Sequence, residues 1–271
     1  MNAASSAPAD PLQRIAELPG VGAAVEDTRA IVDRLLGHRV LRRRSTDVSM
    51  EALVRGARAS AVLEGADVTL QDVRSGDCED PRVKGALRVS GELGTLVETW
   101  PKAPRQVLAR LHALAAADAI AEDALGRPRD GASGAAAEDP LGIGPPPAAD
   151  HVVERIEGLD ALLAVRTSVP ALVVSAIVHA ELLAVRPFDW GNGLVARAAE
   201  RLTLIERGLD PKALVPAEVG HAELREEYGP ALRGYLTGQP DGVGAWVRYC
   251  ARAVAAGARD SLATCEALKR G

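Results

Sequence analysis

Residues Val185 to Arg197, VRPFDWGNGLVAR, separate two apolar stretches, and the way this segment is read decides the fold. Ahead of it, Ala171 to Val185 is apolar enough and long enough for one buried helix; behind it, Gly193 to Gly208 reads as a second. Between them, Gly191-Asn192-Gly193 bends tightly and then opens a helix, aiming several unpaired backbone N–H groups at one point. That arrangement is an anion nest. Arg197 lies four residues beyond Gly193, about 6 Å along the axis, so its guanidinium folds back toward the same anion. Phe188, the chain's single Phe, precedes the nest and is expected to anchor it in the core.

Working outward, the pattern stays helical. Val21 to Leu41 places Ile31, Leu35, Leu36 and Val40 at helical spacing and ends in Arg42-Arg43-Arg44, where a helix C-terminus favours positive charge. A helix starting near Ser45 or Asp47 gathers Met50, Leu53, Val54, Ala57, Ala61 and Val62 on one side and stops at Gly65. Thr69 to Arg74 reads as a connector. Arg82 to Thr99 and Arg105 to Ala121, parted by Trp100-Pro101 and Pro104, read as an antiparallel pair. Asp123 to Asp150 is too rich in Gly, Pro and Ala for a regular helix, and a loop of that length inside a domain is usually functional. Helices resume at Val152 to Val165, Leu224 to Gly234 and Gly242 to Leu268.

The composition supports an all-α protein. The chain has 271 residues with 47% hydrophobic content but only three Trp, three Tyr and one Phe, so its apolar mass is Ala, Leu and Val, which suits close-packed helices. A net charge of −5 lacks the basic balance of a nucleic-acid coat, which makes DNA an unlikely partner. Cys78, Cys250 and Cys265 are odd in number and show no CxxC spacing, which argues against a disulfide framework and a zinc cage. No stretch reads as a membrane span, and the expectation is a cytoplasmic protein.

Arg186 to Arg197 resembles the signature loop of the Fic (Fido) family, HxFx(D/E)GNGRxxR, matching it at Phe188, Gly191, Asn192, Gly193 and Arg197. Independently, Ser60-Ala-Val-Leu-Glu64-Gly65 is similar to the family's inhibitory-helix motif, [S/T]xxxE[G/N], in the class that carries this helix N-terminal to the core. The resemblance covers roughly Glu51 to Leu236. It implies an all-α Fic helical fold with a short irregular or β-hairpin flap at residues 123–150. It also implies transfer of AMP from ATP to a hydroxyl of an unknown target protein, with Mg²⁺. Gly191, Asn192, Gly193 and Arg197 would bind the nucleotide, and Glu64, with Ser60, would pair with Arg197 to block it. On this resemblance the chain divides into a disordered segment at 1–11 and a helical region at 12–49. A core follows at 50–236, with the inhibitory helix at 50–65, and then a C-terminal helix at 237–271. A homodimer is in keeping with the family.

Three charged functions depart from that pattern. The family's catalytic His aligns with Arg186, and a guanidinium with a pKa above about 12 stays protonated and cannot act as a general base. The acidic Mg²⁺ ligand aligns with Trp190, leaving Asp189, one position early, as the candidate metal ligand. The family's first signature arginine is Leu194. His179, seven residues before Arg186 and about 10 Å away along a helix, reads as a packed core histidine and not a substitute base. Arg186 either pairs with a neighbouring carboxylate such as Asp189 or takes a phosphate of a bound nucleotide.

The expected biochemistry is therefore nucleotide or phosphate binding with transferase activity impaired or absent. The alternative is a non-catalytic scaffold for protein or DNA. Its DNA form would rest on Leu18-Pro19-Gly20-Val21-Gly22, which looks like a helix-hairpin-helix turn. Its protein form would rest on the flap, which could offer an extended edge to a partner.

Overall fold

The computed structural model describes residues 10–130, 139–165 and 167–270. Among these residues there are twelve α-helices, one short 3₁₀ turn at Glu122–Ala124, and no strand. The all-α expectation therefore holds. The β-hairpin form of the flap is not found in the described parts of 123–150, and residues 131–138 of that stretch lie outside them, as do residues 1–9 of the expected disordered segment.

The first helix, α1 (Pro11–Ala16), corrects the expected disorder at its last two positions: Asp10 caps it, accepting from the Leu12 N–H at 2.9 Å. α2 (Val21–Leu36) stops five residues short of the expected end, because the chain turns at Gly37 and His38. Arg42 to Arg44 consequently belong to the opening of α3 (Leu41–Leu63) and not to a helix C-terminus, and Arg44 leaves helical geometry at φ −128°, ψ 30°. That kink lies at the expected start near Ser45. The face expected of α3 is only partly right. Ala57 and Ala61 are buried, whereas Met50 is 53% exposed.

The stretch read as a connector is α4 (Leu70–Ser75), opened by a reciprocal capping box between Thr69 and Asp72. α5 (Pro81–Leu96) and α6 (Pro104–Ala116) each start at proline, favoured in a first helical turn, and pack against each other. α7 (Asp150–Ala164) leads to α8 (Ala171–Val185) and α9 (Asn192–Glu206), which form the central pair. α8 is buried on nearly every side, which fits a sequence with no polar stripe. The short α10 (Ala217–Glu223), absent from the sequence reading, is followed by α11 (Arg225–Leu236) and α12 (Pro240–Arg270).

α12, about 46 Å long at 1.5 Å per residue, packs against α2, α3, α8, α10 and α11 and ties the N-terminal helices to the core. Its Trp246 donates an indole N–H to the Ala176 carbonyl of α8 at 2.7 Å. Its Arg248 donates to the Pro19 carbonyl at 2.6 Å, so the turn that resembles a DNA-phosphate hairpin packs against this helix. Cys250 and Cys265 are buried, Cys78 is half-buried, and all three are free thiols. No helix among the described residues is long and apolar enough to cross a membrane.

Candidate functional site

The loop between α8 and α9 is held from several sides. The Asn192 carboxamide is clamped to the Phe188 backbone, accepting from its N–H at 2.9 Å and donating to its carbonyl at 2.7 Å. Its side chain therefore shapes the loop at the edge of the cavity that Asn192 also lines. Phe188 is buried and stacks on His112 of α6, with ring centroids 4.0 Å apart and planes within 1°. His112 in turn accepts from the Gly126 N–H at 2.9 Å, and burial pushes its pKa down to about 4, so it stays neutral. Gly191 adopts φ +69°, the left-handed region that suits glycine, and aims the open N-terminus of α9 into a cavity.

The space at that helix N-terminus is occupied from within the chain. Glu64, at the C-terminal end of α3, accepts from Arg197 Nη2 at 2.6 Å, with the two side chains 6% and 1% exposed. Arg197 also donates through Nε to Ser60 Oγ at 2.9 Å and through Nη2 to the Ser60 carbonyl at 3.1 Å. Ser60 and Glu64 thus converge with Arg197, more than 130 residues further along the sequence. The Glu64 carboxylate rests directly on Gly193: a Cβ there would sit 2.0 Å from Glu64 Oε1 and 3.0 Å from Arg197 Nη1. Burial opposes the charge on Arg197, but Glu64 and the Tyr228 hydroxyl hold its pKa above the usual arginine range.

Behind Arg197 runs a buried polar chain that the sequence reading did not find. The Tyr228 hydroxyl stands beside Arg197 and bonds His179 Nε2 at 2.7 Å. His179 Nδ1 approaches Glu200 Oε2 at 3.0 Å, His221 Nε2 reaches the same oxygen at 2.8 Å, and His221 Nδ1 meets the Tyr249 hydroxyl at 2.9 Å. Burial works against ionisation of Glu200, yet the two imidazoles hold its carboxyl well below the usual range, while burial pushes His179 down to about 4. His179 is thus the hydrogen-bonded core histidine that the sequence suggests.

Among the described residues, His179, Glu200 and His221 are the one set of three potential metal ligands with donor atoms within 4.8 Å of one another. Both nitrogens converge on a single carboxylate oxygen at hydrogen-bond spacing, shorter than the ~3.3 Å that two ligands of one tetrahedral zinc would keep. The set reads as a buried polar cluster in which His221 Nε2 bonds Glu200, while His179 Nδ1 lies close to the same oxygen without an aligned hydrogen bond.

The cavity itself is lined by Glu64, Asp139, Leu141, Arg186, Asp189 and Trp190, among others, and holds about 30 Å³, room for about two waters. Arg186 caps α8 in the left-handed region, φ +44°. Its guanidinium donates through Nη2 to the Gly144 carbonyl at 2.5 Å, and its one ion pair among the described residues is with Asp139, 3.9 Å from Nη1. The carboxylate it meets is therefore Asp139 and not the expected Asp189. Arg129 holds the same corner, donating to the carbonyls of Val185, Arg186 and Pro147.

Residues 139–144 form the outer wall. Asp139 accepts from the Ile143 and Gly144 N–H groups, and Arg233 of α11 donates to the Leu141 and Gly142 carbonyls. Leu194 is buried in the core, which is worth roughly 2 kcal/mol where the family pattern has an arginine.

These residues do not suit Mg²⁺. Trp190 carries no oxygen donor, and although Glu64, Asp139 and Asp189 all line the cavity, they form no converging set. A hard cation there would also face the Arg186 guanidinium.

The helical arrangement and the loop between α8 and α9 define the Fic fold. Two solved structures show the likeness. One is a Fic family protein from Desulfovibrio desulfuricans G20, 24% identical with a TM-score of 0.72, matched over 89% of this chain and 74% of that one. The other is Fic-1 from C. elegans, 19% identical with a TM-score of 0.67, matched over 92% of this chain and 75% of that one. No family model and no curated protein matches the sequence.

Proposed function

We propose that the chain is a Fic-family protein that binds a nucleotide or other phosphate compound at the N-terminus of α9, restrained by its own Glu64, with adenylyl transfer impaired or lost. The observation that carries this reading is the Glu64 carboxylate on Gly193, paired with Arg197: an anion already rests at the helix N-terminus, where backbone N–H groups and the helix dipole favour one. Ser60 and Glu64 hold Arg197 ready, and Gly191 and Gly193 leave the backbone open to a phosphate.

Loss of transfer follows from Arg186. A permanently protonated side chain cannot take a proton from a target hydroxyl, and the buried His179 lies in the core chain behind Arg197. The three free cysteines suit a reducing cytoplasm.

The test is a calorimetric titration of ATP into the native chain and into Glu64→Gly, each with and without Mg²⁺. Binding that appears or tightens in the variant supports the reading; no heat from either folded protein overturns it. Incubation of Glu64→Gly with ATP labelled on its α-phosphate, together with candidate target proteins, then decides the enzymatic part. No transferred label is expected, and label that disappears in Arg197→Ala would show that a working transferase remains.

A further inference from the structure

Arg186 is 5% exposed, yet its Nε and Nη1 are buried with no hydrogen-bond partner. Only Nη2 is satisfied, by the Gly144 carbonyl, and Asp139 lies at 3.9 Å, too far for a direct hydrogen bond. Leaving two guanidinium nitrogens buried and unpaired is costly, and such groups are otherwise rare. The backbone around this side chain is heavily determined. Arg186 stands at φ +44°, its N–H bonds Leu182, and its carbonyl is fixed by Arg129 at 2.8 Å. A strained, buried, under-satisfied cation lining the cavity at the open end of a fifteen-residue helix has the character of a preorganised ligand contact.

We infer that Arg186 and the N-terminus of α9 form two jaws of a clamp for a phosphate-type oxyanion that binds without a divalent cation. The inference rests on the anion-site reading of α9 and deepens it, turning the position of a lost base into a binding residue. Three positive elements then face the anion: the first-turn N–H groups of α9, Arg197 once Glu64 withdraws, and the free N–H groups of Arg186. They supply the charge neutralisation that a metal ion would otherwise give. The donors would also repel a metal-bound phosphate more than a bare one, so Mg²⁺ that sequesters the ligand in solution competes with the protein.

The test is calorimetry of sodium pyrophosphate and, separately, ATP, on Glu64→Gly and on Glu64→Gly combined with Arg186→Met or Arg186→Lys. Each titration is run in chelator and again in excess Mg²⁺, and folding is checked by thermal melting. The clamp predicts binding in chelator, no tightening by Mg²⁺, a loss of about tenfold or more in Arg186→Met, and partial recovery in Arg186→Lys. Equal affinities would assign recognition to a free polyphosphate chain, and tighter ATP to a nucleotide; either supports the clamp.

Binding to Glu64→Gly that requires Mg²⁺, or that is unchanged in a folded Arg186→Met variant, overturns the clamp and leaves the α9 anion site standing. Absence of binding in every variant overturns both. Should Arg186→Met fail to fold, the Mg²⁺ dependence of Glu64→Gly alone still decides the matter.

Discussion

Glu64 Oε1 lies 2.6 Å from Arg197 Nη2 at the foot of α9, so a carboxylate of the chain itself occupies the space against Gly193. The pair is closed from solvent, and its members come from helices far apart in sequence. Its removal leaves a buried cation seeking a partner.

Glu64→Gly is therefore expected to lower stability by about 3 kcal/mol, since breaking a buried ion pair strands its survivor. A phosphate compound should restore much of that loss, about 2.7 kcal/mol at a concentration one hundred times its dissociation constant. Thermal melts with and without pyrophosphate check this. The native chain should show little response, and an equal rise in both proteins would show that Glu64 does not restrain the site.

Gly193→Ala should destabilise the native chain by about 2 kcal/mol or more, because the new methyl would sit 2.0 Å from Glu64 Oε1. In a Glu64→Gly background the cost should shrink, leaving only the 3.0 Å approach of Arg197 Nη1. A double-mutant cycle in urea reads the coupling, and strictly additive effects would show that the carboxylate does not rest on this glycine.

Acid should weaken the fold between about pH 6.5 and pH 4. His179 is neutral in the native state with its pKa pushed down to about 4, so in that window the unfolded chain takes up the proton first. Stability from this group is complete above pH 6.5 and is lost as pH falls, by about 3 kcal/mol in all. Asp210 acts in the opposite direction. Burial raises its pKa to about 6, so the native state holds the proton longer and gains as pH falls from 6 toward 4. Unfolding followed by urea from pH 7 to pH 4 should show a net fall that a folded His179→Gln variant largely lacks.

Tyr228→Phe removes the hydroxyl that bonds His179 and stands beside Arg197. Leaving that imidazole nitrogen unpaired should cost about 1–3 kcal/mol, and in a Glu64→Gly background it should also weaken pyrophosphate binding by loosening Arg197. Unchanged affinity in the double variant would separate the buried chain from the site.

How much of this was legible in the sequence depended on distance along the chain. α8 and α9 could be read to within a residue or two, because Pro170 and Gly191 mark their starts. α2 was overrun because apolar spacing continues through the turn at Gly37, which moved Arg42 to Arg44 to the wrong end of a helix. α4 was missed although Thr69 and Asp72 spell its cap, since six residues show no period. The resemblance to the Fic signature and inhibitory motifs is what placed Ser60, Glu64, Gly193 and Arg197 in one site. Tyr228, His112, Arg129 and Asp139 had no such signal; each comes from an element whose packing is decided only when the tertiary fold forms.

The Glu64 carboxylate is tethered, and this changes what an affinity for the site means. On the function proposed above, an incoming phosphate compound would contend with a rival whose local concentration is fixed by the covalent link between α3 and the core and does not fall on dilution. The threshold at which the site fills is thus written into helix geometry: a shift of α3 by a fraction of an ångström would reset it with no change in any residue that touches the ligand.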